Sequence, residues 1–182
     1  MSVLLALSRA IDAMNSLIGR TVAWLVLAAV LLSTLNAILR YQFRISANSL
    51  LEAQWYLYSA VFLLAAGYTL LTNEHVKVEL IYTRLSRRAQ IWVDIIGTLF
   101  FLLPFCAITL YLSFPLAVAK YVSHEVSNNP GGLIVWPAWA LIPLGALLLG
   151  LQAISELIKR IAILNGAIVD PVAAADAEAA KL

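Results

Sequence analysis

Apolar positions fall into four long runs, near residues 21–39, 50–71, 91–119 and 133–158. A helix needs about 20 apolar residues to cross a bilayer, and each run meets that length. The runs are continuous rather than alternating, so they predict helices and not the strands of a barrel. The third run is roughly 43 Å long by helical rise, more than a hydrocarbon core of about 30 Å. It must therefore tilt, kink or project into the headgroups. Ahead of the first run, Leu4, Leu7, Ile11, Met14 and Ile18 recur at helical spacing, with Arg9, Asp12, Asn15 and Ser16 mainly elsewhere. That pattern predicts a separate amphipathic helix lying on the membrane face, the alternative being a simple extension of the first span. The expected fold class is an all-α integral membrane protein, with four transmembrane helices preceded by an N-terminal interfacial helix. Residues 1–165 would form the membrane domain. Residues 166–182, small and Ala-rich, would form a disordered cytoplasmic tail.

Composition supports the membrane reading. Of 182 residues, 63% are hydrophobic and 12% charged, against about 25% charged in an ordinary soluble domain. The net charge is only +2, and no basic stripe suggests a nucleic-acid partner. With four spans, Arg9, Arg20, Lys77, Arg84, Arg87, Arg88, Lys159, Arg160 and Lys181 share one side, and Arg40, Arg44 and Lys120 take the other. This bias places both termini in the cytoplasm. Trp24, Tyr82 and Trp92 then mark the inner interface, and Tyr41, Trp55, Tyr56, Tyr121, Trp136 and Trp139 the outer one. The first long run starts too late for a secretory signal peptide and reads as a retained anchor. The lone Cys106 reads as a small hydrophobe facing lipid or a partner helix.

The polar positions inside these runs are few. Ser49-Leu-Leu-Glu52 is a capping-box pattern at the start of the second span, so Glu52 is expected to cap that helix or to contact Arg40, Arg44 or a partner subunit. Asn36 and Arg40 share a helix face near the outer end of the first span and read as a snorkelling pair. Asp94 is expected to form an inner-side salt bridge with Arg87, Arg88 or Lys77. Glu156 reads as a local partner of Lys159 and Arg160. Gln152 and Ser155 are candidates for hydrogen bonds between helices. His75 and His124 lack neighbours at metal-ligand spacing, so no metal or cofactor is expected. There is no nucleotide loop or nucleophile motif, and no enzyme activity is expected. Pro104 and Pro143 should each kink a span. Midplane polar groups of the kind that form transport sites are lacking.

NAILRY at 36–41, an acid opening the second span, and NEHVKVELI at 73–81 together resemble the small membrane subunit of the tripartite ATP-independent periplasmic (TRAP) transporters. The family pattern falls on Asn36, Arg40, Tyr41, Glu52, His75, Val78 and Glu79. SNNPGGLIVWPAWALIPLG at 127–145 is similar to a branch associated with mannitol, chloroaromatic compounds and other organic acids. The resemblance implies a bacterial inner-membrane subunit of a sodium-driven uptake system. A large elevator-type membrane subunit would carry the solute and sodium sites, and a periplasmic binding protein would deliver the solute. The small subunit would be a scaffold among membrane lipids, without a substrate site. Asn36, Arg40, Tyr41, Ser49, Glu52, His75, Glu79, Asp94 and Gln152 would serve as structural or subunit-interface residues. The competing readings are an assembly subunit of another membrane complex and an autonomous four-helix transporter.

Overall fold

The computed structural model describes residues 2–44, 48–72 and 85–170. These form four helices: α1 (Ser2–Gln42), α2 (Asn48–Leu71), α3 (Arg87–Ser123) and α4 (Trp136–Leu164). Among the described residues there is no strand, only an isolated bridge between Val126 and Ile134. Three helices are long and apolar enough to cross a membrane, namely α1, α3 and α4. The expected fourth, α2, falls outside this set. Its N-terminal half carries Glu52, Gln54, Trp55, Tyr56 and Tyr58, which lower its hydropathy.

The expected break between an interfacial helix and a first span is absent. α1 runs unbroken for 41 residues, roughly 61 Å by helical rise. It contains no proline and is rich in Leu and Ala, so nothing local stops it. The buried face of α1 carries polar and small residues beside apolar ones. Ser8, Ile11, Asn15, Gly19, Val22 and Ala29 are the buried positions of α1, whereas Leu4 and Leu7 are exposed. In lipid, apolar side chains are already at home on the outside, and the polar and small ones gather where helices meet.

α3 contains a π-helical turn at Thr98–Leu102, in which the Leu103 amide donates to the Thr98 carbonyl. It lies directly ahead of Pro104, whose missing N–H leaves the ladder free to change register. A further proline, Pro115, lies inside α3, and Pro143 lies inside α4. α3 ends at His124, which adopts left-handed backbone angles with φ 49°.

α4 is the hub, packing against α1 and α2 on one side and against α3 on the other. The crossings are made by small residues. Ala29, Ala153 and Ala162 are completely buried. Gly19 lies under Tyr68, Gly67 against Asn15 and the Leu148 carbonyl, and Gly145 against the backbone of Leu63. Cys106 is buried and faces Gly150 of α4. α2 and α4 run parallel, since Tyr56, Leu63 and Gly67 meet Ile134, Gly145 and Leu148 in order. α1 runs antiparallel to both.

Candidate functional site: polar clusters at the two ends of the bundle

Two groups of polar side chains are built into this apolar framework. The first joins the N-terminal half of α1 to the C-terminal half of α4. Ser8, Asp12 and Asn15 follow one another at spacings of four and three, and Gln152 stands three and four residues before Ser155 and Glu156, which stand four and three before Lys159, so each set forms a stripe on one helix face. Antiparallel packing zips the stripes together. Asn15 Nδ2 donates to Gln152 Oε1 at 2.9 Å. Gln152 Nε2 donates to Asp12 Oδ1 at 2.8 Å, and Ser155 Oγ donates to the same oxygen at 2.7 Å. Because the Ser155 proton is directed to Asp12, Ser8 is the donor in the 2.7 Å contact between the two hydroxyls. Ser8, Asn15, Gln152 and Ser155 are each at most 1% exposed. Unpaired polar groups in such surroundings would cost about 1–3 kcal/mol each, so the network selects one register of α1 on α4.

Beyond this core runs an alternating chain of charges. Lys159 pairs with Asp12 at 3.1 Å and with Glu156. Arg160 lies 3.9 Å from Glu156 and 3.2 Å from Asp94. The chain therefore ties α1, α4 and α3 together at one end of the bundle. Nearby, Arg87 makes a bidentate pair with Asp170, at 2.6 and 2.8 Å. That contact ties the residues following α4 to the start of α3. Asp94 thus meets a residue of α4, and Glu156 belongs to a network between helices rather than to a local pair alone. These pairs are partly exposed, so each contributes little by itself and the network matters more than any one member.

The second cluster lies at the opposite end, around Glu52. The capping box expected there is not formed. α2 already starts at Asn48, so Ser49 lies within the helix rather than at its cap. The Glu52 carboxylate faces the connection between α3 and α4. One oxygen accepts from Ser127 Oγ and from Asn129 Nδ2, the latter at 2.7 Å. The other accepts from the Leu133 amide at 2.7 Å. Asn48 Nδ2 donates to the Pro130 carbonyl at 3.1 Å, and the Tyr56 hydroxyl to the Ile134 carbonyl at 3.2 Å. Residues 124–135 are thus a folded loop pinned to the start of α2. The loop braces itself through Ser127 N to Leu133 O at 2.9 Å and Val135 N to Glu125 O at 3.0 Å. Gly131 takes φ 70° in its turn, a conformation natural to glycine.

Asn36, half-buried, and Arg40 and Tyr41, both exposed, lie at the end of α1 near this loop and belong to neither cluster. His75 and Glu79 lie outside the described residues. Ser8, Asp12, Asn15 and Lys159 were not among the residues expected to act together. The signal that marks them is the matched spacing of two polar stripes, which becomes visible only when α1 and α4 are laid antiparallel. Among the described residues no cluster of His, Cys, Asp and Glu is suited to a metal ion. The packed face between the two clusters, formed by residues such as Gly19, Val22, Ala29, Ala60 and Ala146, carries no charged side chain among the described residues. Both clusters are arranged to hold helices and a loop.

The hydroxyl pair offers a direct measure of this. A double-mutant cycle with Ser8→Ala and Ser155→Ala is expected to show a coupling of about 0.6 kcal/mol, reaching about 1.7 kcal/mol in the best-packed cases. Reversible unfolding in mixed micelles would report it, and strictly additive effects would contradict the contact.

No curated protein and no solved structure matches the chain. The family model described as "Tripartite ATP-independent periplasmic transporters, DctQ component" matches residues 29–162. That stretch takes in the last third of α1, the Glu52 clamp and nearly all of α4. The chain therefore belongs to the DctQ family, the small component of the TRAP transporters, and is a multi-pass membrane protein.

Proposed function

We propose that this subunit is a non-transporting scaffold of a sodium-driven organic-acid importer. The observation that carries the reading is the use made of its buried polar groups. Five of the seven buried polar side chains among the described residues, Gln152, Asn15, Ser8, Ser155 and Glu52, bond to neighbouring elements, and charged groups gather at the two ends of the bundle. A solute path would need polar groups around the bilayer midplane. Sodium coupling and organic-acid uptake come to this chain from its family resemblance. Its partners on this reading are a large elevator-type membrane subunit, which holds the solute and sodium sites, and a periplasmic binding protein.

On this reading α2 is the fourth span. It is 24 residues long, roughly 36 Å by helical rise. It runs beside α4, so it crosses if α4 does. Four crossings put both termini on one side, and the excess of Lys and Arg there makes that side the cytoplasm of a bacterial inner membrane. Ion-paired helix ends and small-residue crossings suit a stationary wall against which a partner can move.

The test is reconstitution. Proteoliposomes containing only this chain are expected to take up no organic acid under an inward sodium gradient. Vesicles that also contain the large subunit and receive the binding protein should accumulate one. Uptake by the chain alone would overturn the scaffold reading.

A further inference from the structure

We propose that the groove between the outer halves of α3 and α4 seats a transmembrane helix of the large membrane subunit, and that Tyr111 is its polar anchor. This inference rests on the scaffold reading above and adds which face of the chain meets the partner.

The groove is about 950 Å³ in volume, and its walls include Tyr111, Phe114, Pro115, Trp136, Pro143 and Leu147. It opens where prolines interrupt both helices. Pro115 has no N–H to offer the Tyr111 carbonyl four residues back, and Pro143 likewise leaves the Trp139 carbonyl. Positions four apart share a helix face, so these carbonyls lie on the same faces as the prolines that line the groove.

Tyr111 is 78% exposed, and its hydroxyl has no hydrogen-bond partner among the described residues. Its depth makes this costly. Lys120 marks the outer boundary, where it pairs with Glu125 at 2.5 Å and lies 5.7 Å above the Trp139 ring. Tyr111 is roughly 13 Å deeper by helical rise, close to the middle of a core about 30 Å thick. Helical side chains lean toward the N-terminus of their helix. For α3 that direction leads away from Lys120 and further into the membrane. Tyr111 therefore cannot snorkel to water.

Tyr58 of α2, also exposed at 49%, shows the contrast. It lies roughly 9 Å below Glu52 by helical rise and leans toward that same boundary. Its hydroxyl can reach the interface unaided.

Lipid chains offer Tyr111 no acceptor, and a bare hydroxyl in hydrocarbon is disfavoured by several kcal/mol. A neighbouring helix bearing Ser, Thr, Asn or Gln supplies both what the phenol lacks and what the freed carbonyl lacks. An acyl chain could fill the apolar part of the groove but not meet either polar group.

The experiment places a benzophenone amino acid at 111, 114 or 31 of the full chain, co-expressed with the large subunit of its own transporter. Leu31 lies on the exposed face of α1 and serves as the reference. Irradiation is expected to give an adduct of the summed mass of the two subunits from 111 and 114, and none from 31. Lipid-only adducts at 111 and 114, or a subunit adduct from 31 alone, would overturn the proposal. A second variant avoids the bulky probe. Tyr111→Phe should lower the fraction of large subunit retained in detergent about threefold, with the thermal stability of the isolated chain unchanged. Unaltered retention would remove Tyr111 as the anchor. If the unmodified chain retains no large subunit at all, the scaffold reading is what fails.

Discussion

Gly145→Ala is expected to force α2 away from α4 and to be among the most damaging single changes in the chain. A methyl group at this position would lie 2.7 Å from the Leu63 carbonyl oxygen, 2.9 Å from Leu63 Cβ and 3.1 Å from the Leu63 carbonyl carbon. Two of these atoms belong to the backbone of a packed helix and cannot rotate aside. The helix itself must shift, and overpacking of this kind costs about 1–3 kcal/mol. The shift propagates. One turn further along, Gly67 holds its Cα against Asn15 Oδ1, the one buried side-chain oxygen without a conventional partner among the described residues. A methyl group added at Gly67 would lie 2.5 Å from that oxygen, so the two helices are in close contact here. Moving α2 would open it and loosen the Asn15–Gln152 bond beside it.

Other glycines provide an internal scale for this effect. At Gly150 an added methyl would meet Cys106 Cβ at 3.4 Å, which is ordinary contact, and at Gly97 it would meet nothing within 4 Å. Gly150→Ala should therefore be nearly neutral. Gly97→Ala should be neutral or stabilising, because alanine is the better helix former. Thermal unfolding of the purified chain, followed by tryptophan fluorescence, would rank the three. Equal melting points for Gly145→Ala and Gly150→Ala would show that the α2–α4 crossing is not as close as described.

Glu52→Ala is expected to release the connection between α3 and α4 without unfolding the bundle. Its carboxylate is the common acceptor for Ser127, Asn129 and the Leu133 amide. Its loss leaves three donors without their partner and detaches the loop from α2. Glu52→Gln should behave similarly, because its amide nitrogen would face a donor on one side or the other. Hydrogen exchange at the Leu133 amide should rise on the order of tenfold or more, as befits the loss of a charge-assisted bond. Ser49→Ala distinguishes this clamp from a capping box. It should leave both exchange and assembly unchanged, since Ser49 takes no part. Loop protection that survives Glu52→Ala but falls with Ser49→Ala would reverse the assignment.

Some of this was legible in the residues alone. Long apolar runs and scarce charge require a lipid solvent, and lipid in turn requires every backbone group to be bonded within its own helix. Class and helical content follow from such local quantities. The order of motifs from Asn36 to Glu79 pointed to the TRAP family. The repeat of Leu4 and Leu7 misled in one respect: it suggested a separate interfacial helix, whereas α1 runs on unbroken and turns Ser8, Asp12 and Asn15 toward α4. The Glu52 motif misled for another reason. A capping box needs only four consecutive residues, whereas the true partners, Ser127 to Leu133, are far along the chain.

What the sequence by itself determined is the solvent and the helical class, because hydropathy and helix propensity are sums over neighbouring residues. What only the tertiary structure decided is which polar groups meet. Ser8 finds Ser155, Asp12 finds Gln152 and Lys159, and Glu52 finds the loop, because helices packed through Gly67 and Gly145 bring distant residues within hydrogen-bond reach. In a membrane interior such meetings replace the water that each group has left, and their geometry depends on helix register, which no local pattern encodes.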